Sequence, residues 1–141
     1  MTPEFRKLQI RTMDAERALY TFCELKDYNI DFTVKRLYFF SPKHGQSSTQ
    51  HAHYEEKEVF VIARGTAVAV IDDGNGKREI QMKAPGDAIY VGNLVWHGFL
   101  RYSDDALVIA LSSTNHDPNM SDYIREYDAW QKYMEKQAVQ V

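Results

Sequence analysis

The sequence predicts an all-β barrel or sandwich followed by one short C-terminal helix, and three observations predict it. Short β-branched and aromatic runs recur almost from the start of the chain, separated by glycine, proline and asparagine. Two of these runs, 58–63 and 66–71, are apolar with little alternation, as expected of strands covered on both faces at the centre of a closed or double-layered sheet. Only after residue 119 does the pattern change to a helical period.

The predicted strands are 8–12, 19–25, 32–40, 58–63, 66–71, 78–82, 88–91, 95–102 and 107–112. The first is apolar enough to need a neighbour, which predicts pairing with a second subunit. Asp72-Asp-Gly-Asn-Gly-Lys77 is a strong hairpin connection because asparagine and glycine tolerate positive φ, and Ala84-Pro-Gly-Asp87 is a second tight turn. The helix is expected over about 121–137, with Ser121 as N-cap, Asp122 in the first turn, and Lys132 and Lys136 near the end. Tyr123, Tyr127, Trp130 and Met134 draw an aromatic stripe along it that reads as packing against the barrel, with a wall for a stacked base or sugar as the functional alternative.

At 141 residues the chain fits one domain, 1–141, with the barrel over about 8–112. The net charge of -3 is spread rather than clustered, which argues against a nucleic-acid partner or a membrane surface. A single cysteine, Cys23, excludes an intrachain disulfide, suits a reducing compartment, and reads as a buried core thiol. The opening residues lack the apolar stretch of a secretory leader, and no run approaches a membrane span, so a cytoplasmic location is expected.

The chemistry lies between Gly45 and Gly65. His51 and His53 are two apart, and side chains alternate along a strand, so both imidazoles project to one face; Glu58 follows after a short polar turn. Two imidazoles and a carboxylate in one cavity are either metal ligands or acid/base groups. The spacing G-x5-H-x-H-x4-E-x6-G resembles the first motif of the cupin superfamily at every fixed position. The second motif is half present: Gly86 and His97 stand at its separation, while Gly92 and Leu94 replace its proline and glycine, and Arg101 its later asparagine. The resemblance implies a cupin-type jelly-roll barrel with His51, His53, Glu58 and His97 converging at its mouth, positions that hold the metal in metal-binding members.

His51-Ala-His53, Asp72-Asp-Gly74, the Trp96 to Phe99 region and Asp122-Tyr-Ile-Arg-Glu-Tyr-Asp128 together resemble the nucleotide-sugar 3,4-ketoisomerases, over nearly the whole chain. That resemblance implies an isomerase that converts dTDP-4-keto-6-deoxyglucose to a 3-keto sugar through an enediol, for 3-amino-3,6-dideoxyhexoses of surface glycans. It also implies no metal or other cofactor, and a homodimer with exchanged N-terminal strands. His51 and His53 are then the catalytic pair, His51 as base at C-3 and His53 moving protons between the two oxygens, or the reverse. Imidazoles can do this near neutrality, each transfer contributing ~10²- to 10⁴-fold. Arg17, Tyr38, Arg64 and His97 are the substrate-binding candidates, arginine because its planar fork suits a diphosphate. Arg17 and His97 are also candidates for setting the C-4 configuration of the product. A metal-dependent cupin such as a dioxygenase and a non-catalytic sugar-binding cupin are the alternatives.

Overall fold

A computed structural model describes residues 3–44 and 46–139; Gly45, the first glycine of the motif, lies outside the described residues. The strands are β1 Phe5–Gln9, β2 Arg11–Asp14, β3 Leu19–Phe22, β4 Arg36–Phe40, β5 Ala52–His53, β6 Glu58–Arg64, β7 Thr66–Asp72, β8 Arg78–Lys83, β9 Asp87–Val91, β10 Trp96–Tyr102, β11 Leu107–Ser112 and β12 Tyr123–Ile124, followed by helix α1 Tyr127–Val139. A five-stranded antiparallel sheet in the order β1-β9-β6-β11-β4 faces a three-stranded one in the order β10-β7-β8. This is the predicted jelly roll.

The central strands explain why the two apolar runs lack alternation. Phe60 and Ile62 of β6 point inward against Ala69 and Ile71 of β7, Met82 of β8 and Phe99 of β10. Val59 and Val61 point outward, where Leu8, Ile10, Ile30 and Tyr90 cover them. Burying each such side chain contributes about 1.5–3 kcal/mol, so both faces of β6 stabilise the fold. Cys23 packs half-buried on the outer layer, where burial raises its thiol pKa. Gly65 joins β6 to β7 at φ +73°, and a Cβ there would lie 2.2 Å from Ser103 Oγ. The predicted 72–77 hairpin closes as expected: Asp72 Oδ1 accepts the N–H of Gly74 at 2.9 Å and of Gly76 at 3.1 Å.

Several boundaries differ from expectation. The predicted strand 8–12 breaks at Ile10, which is buried and donates its N–H to the Gly86 carbonyl at 2.6 Å. Its first half belongs to β1, paired with β9, while Arg11–Asp14 pairs with β3. The predicted strand 19–25 stops at Phe22; Leu25–Tyr28 is a 3₁₀ turn closed by left-handed Asn29. The predicted 32–40 shortens to Arg36–Phe40, with the Phe32 ring stacked on Tyr90 instead.

The helix begins six residues later than 121. Ser121 does not cap it: its hydroxyl and its N–H both go to Asp117 Oδ2, at 2.5 and 2.9 Å. Tyr123 and Ile124 instead form β12 against β5. The stripe therefore divides. Tyr127, Trp130 and Met134 pack with Trp96 and Leu94, with Trp130 Nε1 donating to the Leu94 carbonyl at 2.8 Å, while Tyr123 goes to the histidines.

Candidate active site

Strand alternation sends His51 and His53 to one side and Ala52, fully buried, to the other, against Ile124 and Trp130. His51 forms a two-way backbone bridge with His97, N–H to carbonyl at 3.0 and 2.9 Å. Gly98 permits this approach, since a Cβ there would lie 2.7 Å from Gln50 Cγ and 3.1 Å from Gln50 Cα. The rings of His51 and His97 sit 4.7 Å apart, and His51 Nε2 lies 3.1 Å from His53 Nε2.

His51 and His97 end a cavity of about 270 Å³ between the two sheets. His51, His97, Glu58 and Tyr38 form its polar part; Phe40, Phe60 and Phe99 form its aromatic wall. The structure thus brings together Tyr38, His51, Glu58 and His97 as the sequence predicts. Tyr38 shares its face of β4 with Arg36 and Phe40, while Leu37 and Phe39 point to solvent. Its hydroxyl donates to Glu58 Oε2 at 2.5 Å, and burial, then the Glu58 charge, pushes the phenol pKa up, so it keeps its proton. Glu58 Oε1 lies 3.7 Å from His53 Nε2 and 3.8 Å from His97 Nε2.

The other two predicted binders lie elsewhere in this chain. Arg17 is exposed in the turn between β2 and β3. Arg64 is exposed at the far end of β6, six residues from Glu58, about 20 Å along an extended strand.

His53 does not line the cavity; it sits behind His51 in a nest of carboxylates that sequence reasoning missed. Its Nε2 is 3.0 Å from Glu56 Oε2, and its Nδ1 is 3.4 Å from Asp122 Oδ2. Glu56, which reads in the sequence as one of several polar turn residues, is buried, and Arg36, Ser112 and Thr114 all donate to its Oε1. Asp122 accepts the N–H groups of Glu55 and Glu56 at 2.9 and 3.1 Å, so the tail pins the turn after the histidines. The spacing of three between His53 and Glu56 was the available signal.

The surroundings separate the two imidazoles. Burial, then the charges of His97 and His53, lowers the His51 pKa to about 3, so it is neutral at pH 7. Burial would lower His53 as well, but the hydrogen bond and charge of Glu56, then Glu58 and Asp122, outweigh it and raise its pKa. Glu56 falls to about 2 because its hydrogen bonds to His53, Ser112 and Thr114 overcome its burial. His97 Nδ1 faces the Val95 carbonyl at 2.9 Å, and a carbonyl can only accept, so that nitrogen carries a proton. His97 Nε2 is then the atom left for the cavity, buried with no hydrogen-bond partner among the described residues. His51, His53 and His97 each offer a nitrogen within 4.8 Å of the others, a spacing that also admits a metal ion.

Residues 3–135 match a protein-family model described as FdtA: WxcM-like, C-terminal. A TDP-4-oxo-6-deoxy-alpha-D-glucose-3,4-oxoisomerase from Aneurinibacillus thermoaerophilus is 35% identical over 127 residues, covering 89% of this chain and 88% of that protein. Among solved structures, a 3,4-ketoisomerase from Helicobacter canadensis superposes with a TM-score of 0.82 at 25% identity, covering 94% of this chain and 98% of that one. QdtA, a sugar 3,4-ketoisomerase from Thermoanaerobacterium thermosaccharolyticum in complex with TDP, gives 0.82 at 22% identity, covering 94% and 96%, a likeness of fold.

Proposed function

The chain belongs to the WxcM-like family of nucleotide-sugar 3,4-ketoisomerases, and on that premise we propose that it converts dTDP-4-keto-6-deoxyglucose to the corresponding 3-keto-6-deoxyhexose. The observation that carries the reading is the His51–His53 pair, joined across 3.1 Å, with one ring facing a cavity of about 270 Å³ and the other held among carboxylates.

Moving the carbonyl breaks the C-3–H bond and protonates O-4 to give the enediol; O-3 then loses a proton and C-4 gains one, with no net change. In our reading His51, neutral and against the cavity, takes the C-3 proton and returns a proton to C-4. His53, reached from the cavity past His51, stores the proton that the oxygen exchange needs. His97 Nε2 and the Tyr38 hydroxyl border the same cavity, where Nε2, with the ring proton on Nδ1, is placed to accept a hydrogen bond from a substrate hydroxyl. Turnover of dTDP-4-keto-6-deoxyglucose in D2O with a metal chelator tests this: a 3-keto sugar carrying deuterium at C-3 or C-4 is expected, and no exchange overturns it.

The three imidazole nitrogens within 4.8 Å favour a metal-dependent cupin as the second reading, and stoichiometric metal whose removal abolishes activity would establish it. We further propose a cytoplasmic homodimer built by exchange at the N-terminus. In its support, β2 and β3 pair with each other, Met13, Leu19 and Tyr20 are exposed there, and Leu37 and Phe39 are exposed on β4 at the edge of the five-stranded sheet. β1 is paired with β9 of its own chain, so the exchanged piece is the 11–22 hairpin, which carries Arg17. Light scattering on a sizing column should give twice the chain mass; a stable monomer removes the proposal. Arg17 and His97 are proposed to set the C-4 configuration, and unchanged C-4 stereochemistry by product NMR after replacing both refutes it.

A further inference from the structure

Glu56 is the buried charge that the reaction scheme leaves unused, and the geometry around it is unusually one-sided. Its Oε1 accepts from three side chains: Arg36 at 2.6 Å, Thr114 at 2.9 Å, and the Ser112 hydroxyl. Those donors come from β4, from the end of β11 and from the residues just after it, so the carboxylate is fixed from two strands of the barrel. Its other oxygen, Oε2, is left to His53 Nε2 at 3.0 Å. That same nitrogen lies 3.1 Å from His51 Nε2. One N–H thus has two acceptors within reach, a carboxylate and the imidazole that meets the substrate.

We propose that Glu56 is a positioning residue for proton transfer: it draws the His53 Nε2–H onto its own Oε2 and so leaves the His51 Nε2 lone pair free. An ionised acceptor makes the stronger hydrogen bond, which decides the competition in favour of the carboxylate. Asp122 Oδ2, 3.4 Å from Nδ1 but not hydrogen-bonded to it, puts a second negative charge on the other side of the ring, which favours a proton on each nitrogen of His53. The inference deepens the isomerase reading and rests on it for its kinetic part.

Glu56→Gln keeps the size and the oxygen that Arg36, Ser112 and Thr114 use, but turns an amide N–H₂ toward His53. The hydrogen bond must then reverse, with His53 Nε2 as acceptor. Ring ¹⁵N NMR, with His53 assigned by its loss in His53→Gln, is expected to show Nε2 protonated in the parent protein and bare in the variant. With the keto sugar, kcat is expected to fall about 10- to 100-fold while KM stays within about twofold, as for loss of an orienting partner. Nε2 still protonated in Glu56→Gln, or parental kcat in the folded variant, overturns the proposal. If Glu56→Gln does not fold, Thr114→Val carries the test, because it removes one donor from Oε1 and leaves the carboxylate. A several-fold lower kcat at unchanged KM is expected there, and parental kcat overturns the proposal. The nitrogen measurement needs no substrate, so failure of the isomerase reading, seen as no turnover by the parent protein, is distinguishable from failure of this one.

Discussion

His51 and His53 are the same residue type two positions apart on one face of the chain, yet the barrel treats them in opposite ways. His51 borders an aromatic cavity beside two other imidazoles and is neutral at pH 7, with one ring nitrogen free to accept a proton; His53 lies among Glu56, Glu58 and Asp122 and holds its second proton more tightly than usual. Two identical groups thereby become a free base and a proton store without any difference in their own chemistry. What differs is which residues surround each ring: Gly98 and His97 on one side, and on the other the adjoining turn at 55–56, tied down by Asp122 from the tail.

Removing the front member breaks that contrast most severely. His51→Gln is expected to lower kcat by ~10²- to 10⁴-fold with the fold intact, measured by turnover of the keto sugar and circular dichroism. Gly98→Ala attacks the same side indirectly, since the new Cβ must displace the backbone at Gln50; about a 10-fold or larger loss of kcat/KM is expected, as for misplaced catalytic groups. Full activity in that variant would show that the close approach of the two segments does not set the position of His51.

The contrast also has a signature in pH. His51 titrates below its unfolded value, so its protonation opposes folding, and stability is expected to fall as pH drops from about 6.5 toward 3, by on the order of a few kcal/mol. Glu56 adds to this lower down, because its depressed pKa contributes stability above the ordinary carboxylate range that is lost as pH falls toward 2. His53 works the other way: its contribution is present below about pH 6.5 and is lost as pH rises through its raised pKa. Melting temperatures of the parent and His51→Gln across pH 4–7 separate these effects, and identical slopes would remove the burial argument for His51. The smallest effect is expected for Tyr123→Leu, whose ring lies 4.4 Å from His53 and 5.0 Å from His51; losing it should cost roughly 0.5–1.5 kcal/mol by denaturant unfolding.

The front of the site was legible in the sequence because its residues are carried by regular features: alternation puts His51 and His53 on one face, and glycine-bounded spacing locates Glu58 and His97. Tyr38 lies on a strand whose inward face is readable once the core is known. The back was far less legible, because only the spacing of three from His53 distinguishes Glu56 from Glu55 beside it. One is buried and the other exposed only because Asp122 returns to cap the turn and Arg36, Ser112 and Thr114 converge on one carboxylate. The helix start went wrong for a related reason. Tyr123 has helical spacing to Tyr127, but it pairs with His53 in a two-residue strand that no periodicity could announce. Arg64 shows the converse: chemistry suited to a diphosphate, on a strand that carries it away from the cavity.

The Asp122 tie also orders events during synthesis. A chain grows from its N-terminus, and the strands through Ser112 leave the ribosome before the residue that clamps the 55–56 turn and faces His53 Nδ1. A nascent or truncated chain ending there would already hold His51, His97 and the aromatic wall, yet it would lack both β12 and its tie to the site. Competence for turnover is therefore expected to arrive only with the segment around residue 122.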